Sequence, residues 1–269
     1  GMKTVLPLLL TFVLLSVQSV LAAPQTNAPT KSPMPAKQPT VAGRINKLSQ
    51  YCALFGNIVI YFENDKFLLQ TIESDMYVLY SPPYDNLYYY SKRTKKLCVV
   101  PAKGFVNQFT KSRTILTGVV LASVPLVKDK EEMVKDLKCV CYKSTAEFGK
   151  NAHKIYHNRE AGGASPREVK AHYYKVKDMD VRLPLMIAKL LDLPAIDALP
   201  IDFQYKSIED AQSNYLNYGS FAQTVAPPKL FEIPTKLPIV KSPQEVLQGV
   251  EEEDAMELMM LDSARLKKK

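Results

Sequence analysis

Between residues 57 and 81 three short apolar runs, NIVIYF, KFLLQTI and MYVLYS, are separated by END and ESD. Runs rich in β-branched and aromatic residues, cut by acidic punctuation, fit two consecutive antiparallel strand connections. The pattern continues downstream. Tyr80-Ser81-Pro82-Pro83 ends one strand, 87–91 makes the next, and 97–100 returns, with SKRTKK as the polar turn between them. Along 87–90 one face takes Leu87 and Tyr89 and the other takes Tyr88 and Tyr90. Apolar surface on both faces calls for a curved sheet with something packed on each side. The tyrosines read as cross-strand packing, with ligand stacking as the alternative, and the cations read as a solvated turn.

The rest of the body is mixed. RINKLSQYCALFGN, 44–57, places Ile45, Leu48, Cys52 and Phe55 at helical spacing and predicts a short amphipathic helix ending near Gly56. TILTGVVLASVPL, 114–126, fits a broken strand or a buried helix equally well. LKCVCYKS, AHKIYHN and EVKAHYYKVKDMDV alternate and predict strands, with AGGASP as a loop. Leu183, Met186, Ile187, Leu190 and Leu191 then fall on one helical face, with Pro184 near the start and Pro194 as the stop. PIDFQYKS predicts a strand, NYLNYGSFAQTVAP another with a turn near Gly219, and KLFEIPTKLPIV a closing extended segment.

The ends bound the organisation. Gly1 ahead of Met2 reads as a cloning remnant. Lys3, an apolar run and Val20-Leu21-Ala22 predict a signal peptide over 1–22, cleaved after Ala22, with an uncleaved anchor as the alternative. Residues 23–43 carry five prolines and almost no large apolar side chain, and predict an extended, disordered linker. A single β-rich domain is expected over 44–249, and a charged, helix-prone tail over 250–269. Export to a periplasmic or extracellular space follows from the signal, with no membrane span left after cleavage. The formal net charge of +8 suits weak attraction to anionic surfaces, but forms no dense basic stripe of the nucleic-acid-binding kind.

Few residues suggest chemistry. Cys52, Cys98, Cys139 and Cys141 permit disulfides in an exported chain, with one long-range bridge from Cys98 to Cys139 or Cys141 set against four buried thiols. His153 and His157 form H-x-x-x-H, but no third ligand is implied nearby, so no metal is expected there. His172 stands alone and reads as structural. Neither G-x-S-x-G, a phosphate-binding loop nor G-x-G-x-x-G occurs, which argues against an enzyme.

The order of elements resembles the LolA/LolB-like family of bacterial lipoprotein carriers. DNLYYYSKRTKKLCVVP resembles the family's aromatic strand, turn and return strand, with Ser91 and Lys92 standing where Asn-Pro is expected. KLFEIPTKLPIV resembles its F-x-x-P-x-G ending, without the glycine after Pro234. The resemblance implies an α+β, mostly antiparallel half-barrel wrapping one or two short helices. It also implies binding of acyl chains or lipid-bearing partners without a cofactor. The arginine that regulates release in the family's carriers has no counterpart among these residues.

The expectation is therefore an exported, non-enzymatic protein with an apolar pocket. Its candidate lining is Leu69, Tyr77, Leu79, Tyr89, Leu183, Met186, Ile187 and Leu190, with the helix near 183–193 as lid or as permanent core. The alternatives are an envelope-associated interaction module with a filled scaffold, and a hydrolase with scattered catalytic residues.

Overall fold

The computed structural model describes residues 43–111, 120–156 and 165–249, apart from the side chains of 153, 155 and 156. The expectations for the leader, the linker, the charged tail, residues 114–119 of the 114–126 segment and the H-x-x-x-H side chains lie outside the described residues. Eleven described strands form one curved, unclosed antiparallel sheet in the order β6-β5-β4-β3-β2-β1-β11-β10-β9-β8-β7. They are β1 Arg44–Cys52, β2 Gly56–Phe62, β3 Phe67–Thr71, β4 Met76–Tyr80, β5 Asn86–Ser91, β6 Lys96–Pro101, β7 Leu126–Val134, β8 Leu137–Ser144, β9 Pro166–Tyr174, β10 Leu199–Ser207 and β11 Gln212–Val225. Among the described residues, short helices accompany them at α1 Ala146–Tyr156, α2 Arg182–Leu190 and α3 Pro243–Leu247, and residues 108–111 are also helical. The expected half-barrel is the observed architecture. Its two meanders meet where β1 pairs with β11.

Strand alternation sorts the apolar residues onto two faces. In β4, Met76, Val78 and Tyr80 join the main core while Tyr77 and Leu79 join a second cluster. Leu69 of β3 and Tyr89 of β5 face the main core, and Leu68 and Tyr90 face the other way. The main core, on what we call the inner face, also takes Leu183, Met186, Ile187 and Leu190 of α2. This is the physical reason the strand runs are apolar at every position: each face has its own cover.

Helix α2 is fixed at both ends. Asp180 accepts from the Arg182 backbone and guanidinium at 2.9 Å, and the Arg182 guanidinium lies 3.7 Å over the Tyr84 ring. Hydrogen bonds from Arg182 hold the Asp180 carboxyl down at about 2. At the other end Asn107 Nδ2 donates to the Leu190 carbonyl at 2.6 Å, and the Tyr215 hydroxyl to the Leu191 carbonyl at 2.9 Å. These bonds satisfy carbonyls that a helix terminus leaves open.

The helix expected over 44–57 is strand β1. Its register with β2 places Leu48, Gln50 and Cys52 on the inner face, whereas Ile45 is buried on the opposite side. A buried glutamine in an inward position removed the strand alternation, and the remaining apolar residues fell by chance at helical spacing. Gln50 is polar for a reason. Its Nε2 donates to the carbonyls of Pro200 and Ile201, both at 2.9 Å, where the β9–β10 ladder breaks register. The strand expected at AHKIYHN is corrected too, since 152–156 end helix α1.

The turn expected near Gly219 is a bulge inside β11. Ser49 pairs with Ser220 and Gln50 with Tyr218, leaving Gly219 as the extra residue. A Cβ there would lie 2.7 Å from the Ser49 backbone oxygen, which cannot swing aside. Gly219→Ala is expected to cost about 1–3 kcal/mol, the usual range for forced overpacking, as a lowered urea midpoint at unchanged m-value. An unshifted midpoint would show that β1 and β11 can separate freely.

Strand β7 was not anticipated from sequence. Residues 128–132 read KDKEE and sit on the sheet edge, so no apolar alternation marks them. The opposite edge, β6, is met by residues 238–240: the Leu97 amide donates to Pro238 and the Val240 amide to Leu97, at 2.9 and 2.8 Å. The segment 227–240 therefore forms a strap. It lays Leu230, Phe231, Ile233 and Leu237 on the outer-face cluster, rounds the β6 edge, and ends in α3, whose Val246 is buried in the inner core.

Candidate ligand-binding site

The strap and the outer face border a half-open cavity of about 480 Å³. Leu68 of β3 and Tyr90 of β5 supply its floor, and Leu230, Ile233, Pro234 and Leu237 its opposite wall. The outward-facing apolar residues of the strands create that floor. The segment expected to be extended over 229–240 is instead a series of turns: the Leu230, Glu232 and Leu237 amides donate to Pro227, Lys229 and Pro234, which leaves only 238–240 to meet the sheet. The result is a strap that leans on side chains and leaves space beneath.

Aromatic stacking stiffens the floor. Tyr77 and Tyr90 lie opposite one another on β4 and β5 with ring centroids 5.0 Å apart and planes 9° from parallel. Gln70 Nε2 donates to the Tyr77 hydroxyl at 3.0 Å. Burial, aided by the neighbouring Tyr77 and Asp75, pushes the Tyr90 hydroxyl up to about 12, so it is a neutral group at physiological pH.

The rim is basic. Lys92, Lys95 and Lys229 line the opening against one acidic residue, Glu232, which pairs with Lys229 at 3.6 Å. Lys92 and Lys95 come from the β5–β6 turn, whose shape is set by Asp75 accepting from the Arg93 amide and the Ser91 hydroxyl at 2.8 and 3.1 Å. Lys92 Nζ also lies 4.7 Å from the Tyr77 ring centroid. The tyrosines of this stretch pack across strands, and two of the lysines expected in a solvated turn, Lys92 and Lys95, border an apolar space. The arrangement can hold an apolar chain below and an anion above.

The residues expected to line a pocket divide between the two faces. Tyr77 and Leu79 belong to the outer cluster beneath the strap. Leu69, Tyr89, Leu183, Met186, Ile187 and Leu190 sit in the inner core, each between 0 and 5 % exposed. Leu68, Tyr90, Lys92, Lys95 and the strap residues had not been singled out. The one available signal was the odd-even alternation, which places Leu68 and Tyr90 opposite Leu69 and Tyr89.

The expected bridge between Cys98 and Cys139 or Cys141 is not formed; these three are buried thiols. Cys98 lies on β6 and the other two on β8, near opposite ends of the strand order. Burial raises all three thiols above the ordinary range, Cys139 to about 11.

No protein-family model matches this chain, and no curated protein does. Among solved structures it is similar to an uncharacterised conserved protein from Thermus thermophilus, at 10 % identity and a TM-score of 0.39, over 75 % of this chain and 92 % of that one. It is also similar to LprF from Mycobacterium bovis, at 12 % identity and a TM-score of 0.25, over 69 % and 87 % of the two chains. A third is a putative outer membrane lipoprotein-sorting protein domain from Vibrio parahaemolyticus, at 8 % identity and a TM-score of 0.23, over 72 % and 91 %. At these scores the alignments transfer neither a residue nor an activity to this chain.

Proposed function

We propose that this chain is an exported, non-enzymatic binding protein for an amphipathic ligand, an acyl chain or lipid with an anionic group. The observation that carries this reading is the 480 Å³ cavity between Leu68, Tyr90 and the strap, rimmed by Lys92, Lys95 and Lys229. The signal-like N-terminus supports export. Outer-face cavities of this size fall within the range usual for small-molecule sites, about 300–1,000 Å³.

Magnitudes assign the parts. Burying roughly ten methylenes contributes about 8 kcal/mol. Association costs offset at least about 4 kcal/mol of that. The chain alone would therefore bind only at about millimolar concentration. Charge-assisted hydrogen bonds from the rim lysines, about 1.5–3 kcal/mol each, bring the expected affinity to about micromolar. The acyl chain gives grip, and the lysines decide between an anion and a neutral amphiphile.

Native mass spectrometry of gently purified protein is expected to show a bound amphiphile. A fluorescent fatty acid is expected to bind the delipidated protein saturably at about micromolar concentration. The double variant Lys92→Glu/Lys95→Glu, which changes exposed turn residues, is expected to weaken it tenfold or more. Absence of saturable binding, or equal binding by the double variant, rejects this site.

A further inference from the structure

Away from the strap, three neighbouring strands bring a soft ligand set together. Cys141 on β8 is the direct cross-strand partner of His172 on β9, and His172 is the partner of Asp202 on β10. Glu132 of β7 reaches the same point, with Oε1 2.5 Å from His172 Nε2. The Cys141 sulfur, a Glu132 oxygen and a His172 ring nitrogen all lie within 4.8 Å of one another. We infer that Glu132, Cys141 and His172 bind a divalent transition metal of the zinc class.

Four features point this way, independently of the cavity beneath the strap. Thiolate, imidazole and carboxylate together are the donor types of a tetrahedral zinc site, leaving one position for water. Metal–ligand lengths of about 2.0–2.3 Å put tetrahedral donors roughly 3.3–3.7 Å apart, so Glu132 must draw back from His172, and the three donors, already within 4.8 Å, need only side-chain adjustment. The imidazole is oriented from behind. Asp202 Oδ2 lies 3.3 Å from His172 Nδ1 and itself accepts from Gln204 Nε2 at 3.0 Å. A carboxylate accepting from Nδ1–H leaves the Nε2 lone pair for a metal, the usual support of a ligating histidine.

Charge is compensated locally. Lys170 and Lys130 pair with Glu132 at 2.6 and 3.1 Å. Thiolate, Glu132 and Asp202 exceed a dication by one negative charge, and the two lysines more than offset that excess. On binding, the thiol proton and any proton on Nε2 leave to solvent, and the two new bonds are sulfur–metal and nitrogen–metal. Glu132 is half-buried at the sheet edge and gives the ion its way in, while Cys141 and His172 are buried. A bound ion would tie β7, β8 and β9 together where β7 has little apolar contact of its own.

The test is titration of the full chain, stripped with a chelator, with Co²⁺ followed by Zn²⁺. The expected result is one equivalent of tetrahedral Co²⁺ with a thiolate-to-cobalt band in the near ultraviolet, abolished by Zn²⁺. Cys141→Ser is expected to lose that band. Glu132→Gln, a change at the half-exposed edge that leaves the core alone, is expected to weaken binding tenfold or more, as is Asp202→Asn. No near-ultraviolet band in the wild-type protein up to millimolar Co²⁺ overturns the inference. So does a band that titrates identically in Glu132→Gln and in any folded Cys141→Ser.

Discussion

Phe203→Ala is expected to lower the free energy of unfolding by about 3–5 kcal/mol, the range for removing a fully enclosed aromatic ring. Phe203 is 0 % exposed on β10, between Ala171 of β9 and Leu216 of β11 in the ladder. Its ring meets Tyr215 edge-on at 6.2 Å. Tyr215 in turn holds the end of α2 through its hydroxyl, so the void cannot close without moving the helix. Tyr51→Ala, at a position 48 % exposed, is the control and is expected to stay within about 0.5 kcal/mol. Urea unfolding decides it. A Phe203→Ala midpoint equal to that of Tyr51→Ala would mean the inner face is loosely filled and that α2 rides over it.

Val246→Asp is expected to release the strap while most of the sheet persists. Val246 is 0 % exposed, and its carbonyl accepts from the Thr94 hydroxyl at 2.6 Å. Helix α3 has only five residues, capped by Ser242 accepting from the Glu245 amide at 3.3 Å. So short a helix has almost no stability of its own and depends on its two buried side chains, Pro243 and Val246, of which Val246 reaches the inner core. An unpaired carboxylate in an apolar core costs more than the docking of α3 can return, so α3 leaves. Trypsin is then expected to cut at Lys229, Lys236 and Lys241 well before the sheet unfolds, and a dye for apolar surface to bind the uncovered Leu68, Tyr77, Leu79, Tyr90 and Leu97. Far-ultraviolet circular dichroism should change little. A strap as resistant as in the wild-type protein would show that pairing of 238–240 with β6 holds it without α3.

The strand-rich half-barrel was legible because β2 to β6 are separated by short polar turns and carry apolar residues at nearly every position. Helix α2 was legible from its proline-bounded apolar face. Strand β1 was not, because Gln50 serves the broken ladder at Pro200 and Ile201, a contact 150 residues away. Strand β7 was hidden by the charges of an edge. The candidate site was half legible. Periodicity announced that both faces of β3 to β5 needed cover, but nothing local says that the cover for one face is α2 and for the other a strap from the far end of the chain. The Cys141–His172–Asp202 row was invisible for a similar reason. Three unremarkable residues become neighbours only when three strands take a register that no single segment encodes.

The unclosed sheet has two margins with unpaired backbone amides and carbonyls, and such margins recruit strands from other molecules. This chain disarms them differently. At β6 its own residues 238–240 occupy the amide and the carbonyl of Leu97, where a foreign strand would start to pair. At β7 the five consecutive charges of 128–132 make the approach of an identical margin a meeting of like with like along part of its length. A molecule whose strap has come loose therefore loses more than a roof. It also uncovers the one margin that electrostatic repulsion does not guard, and self-assembly into fibrils should start there.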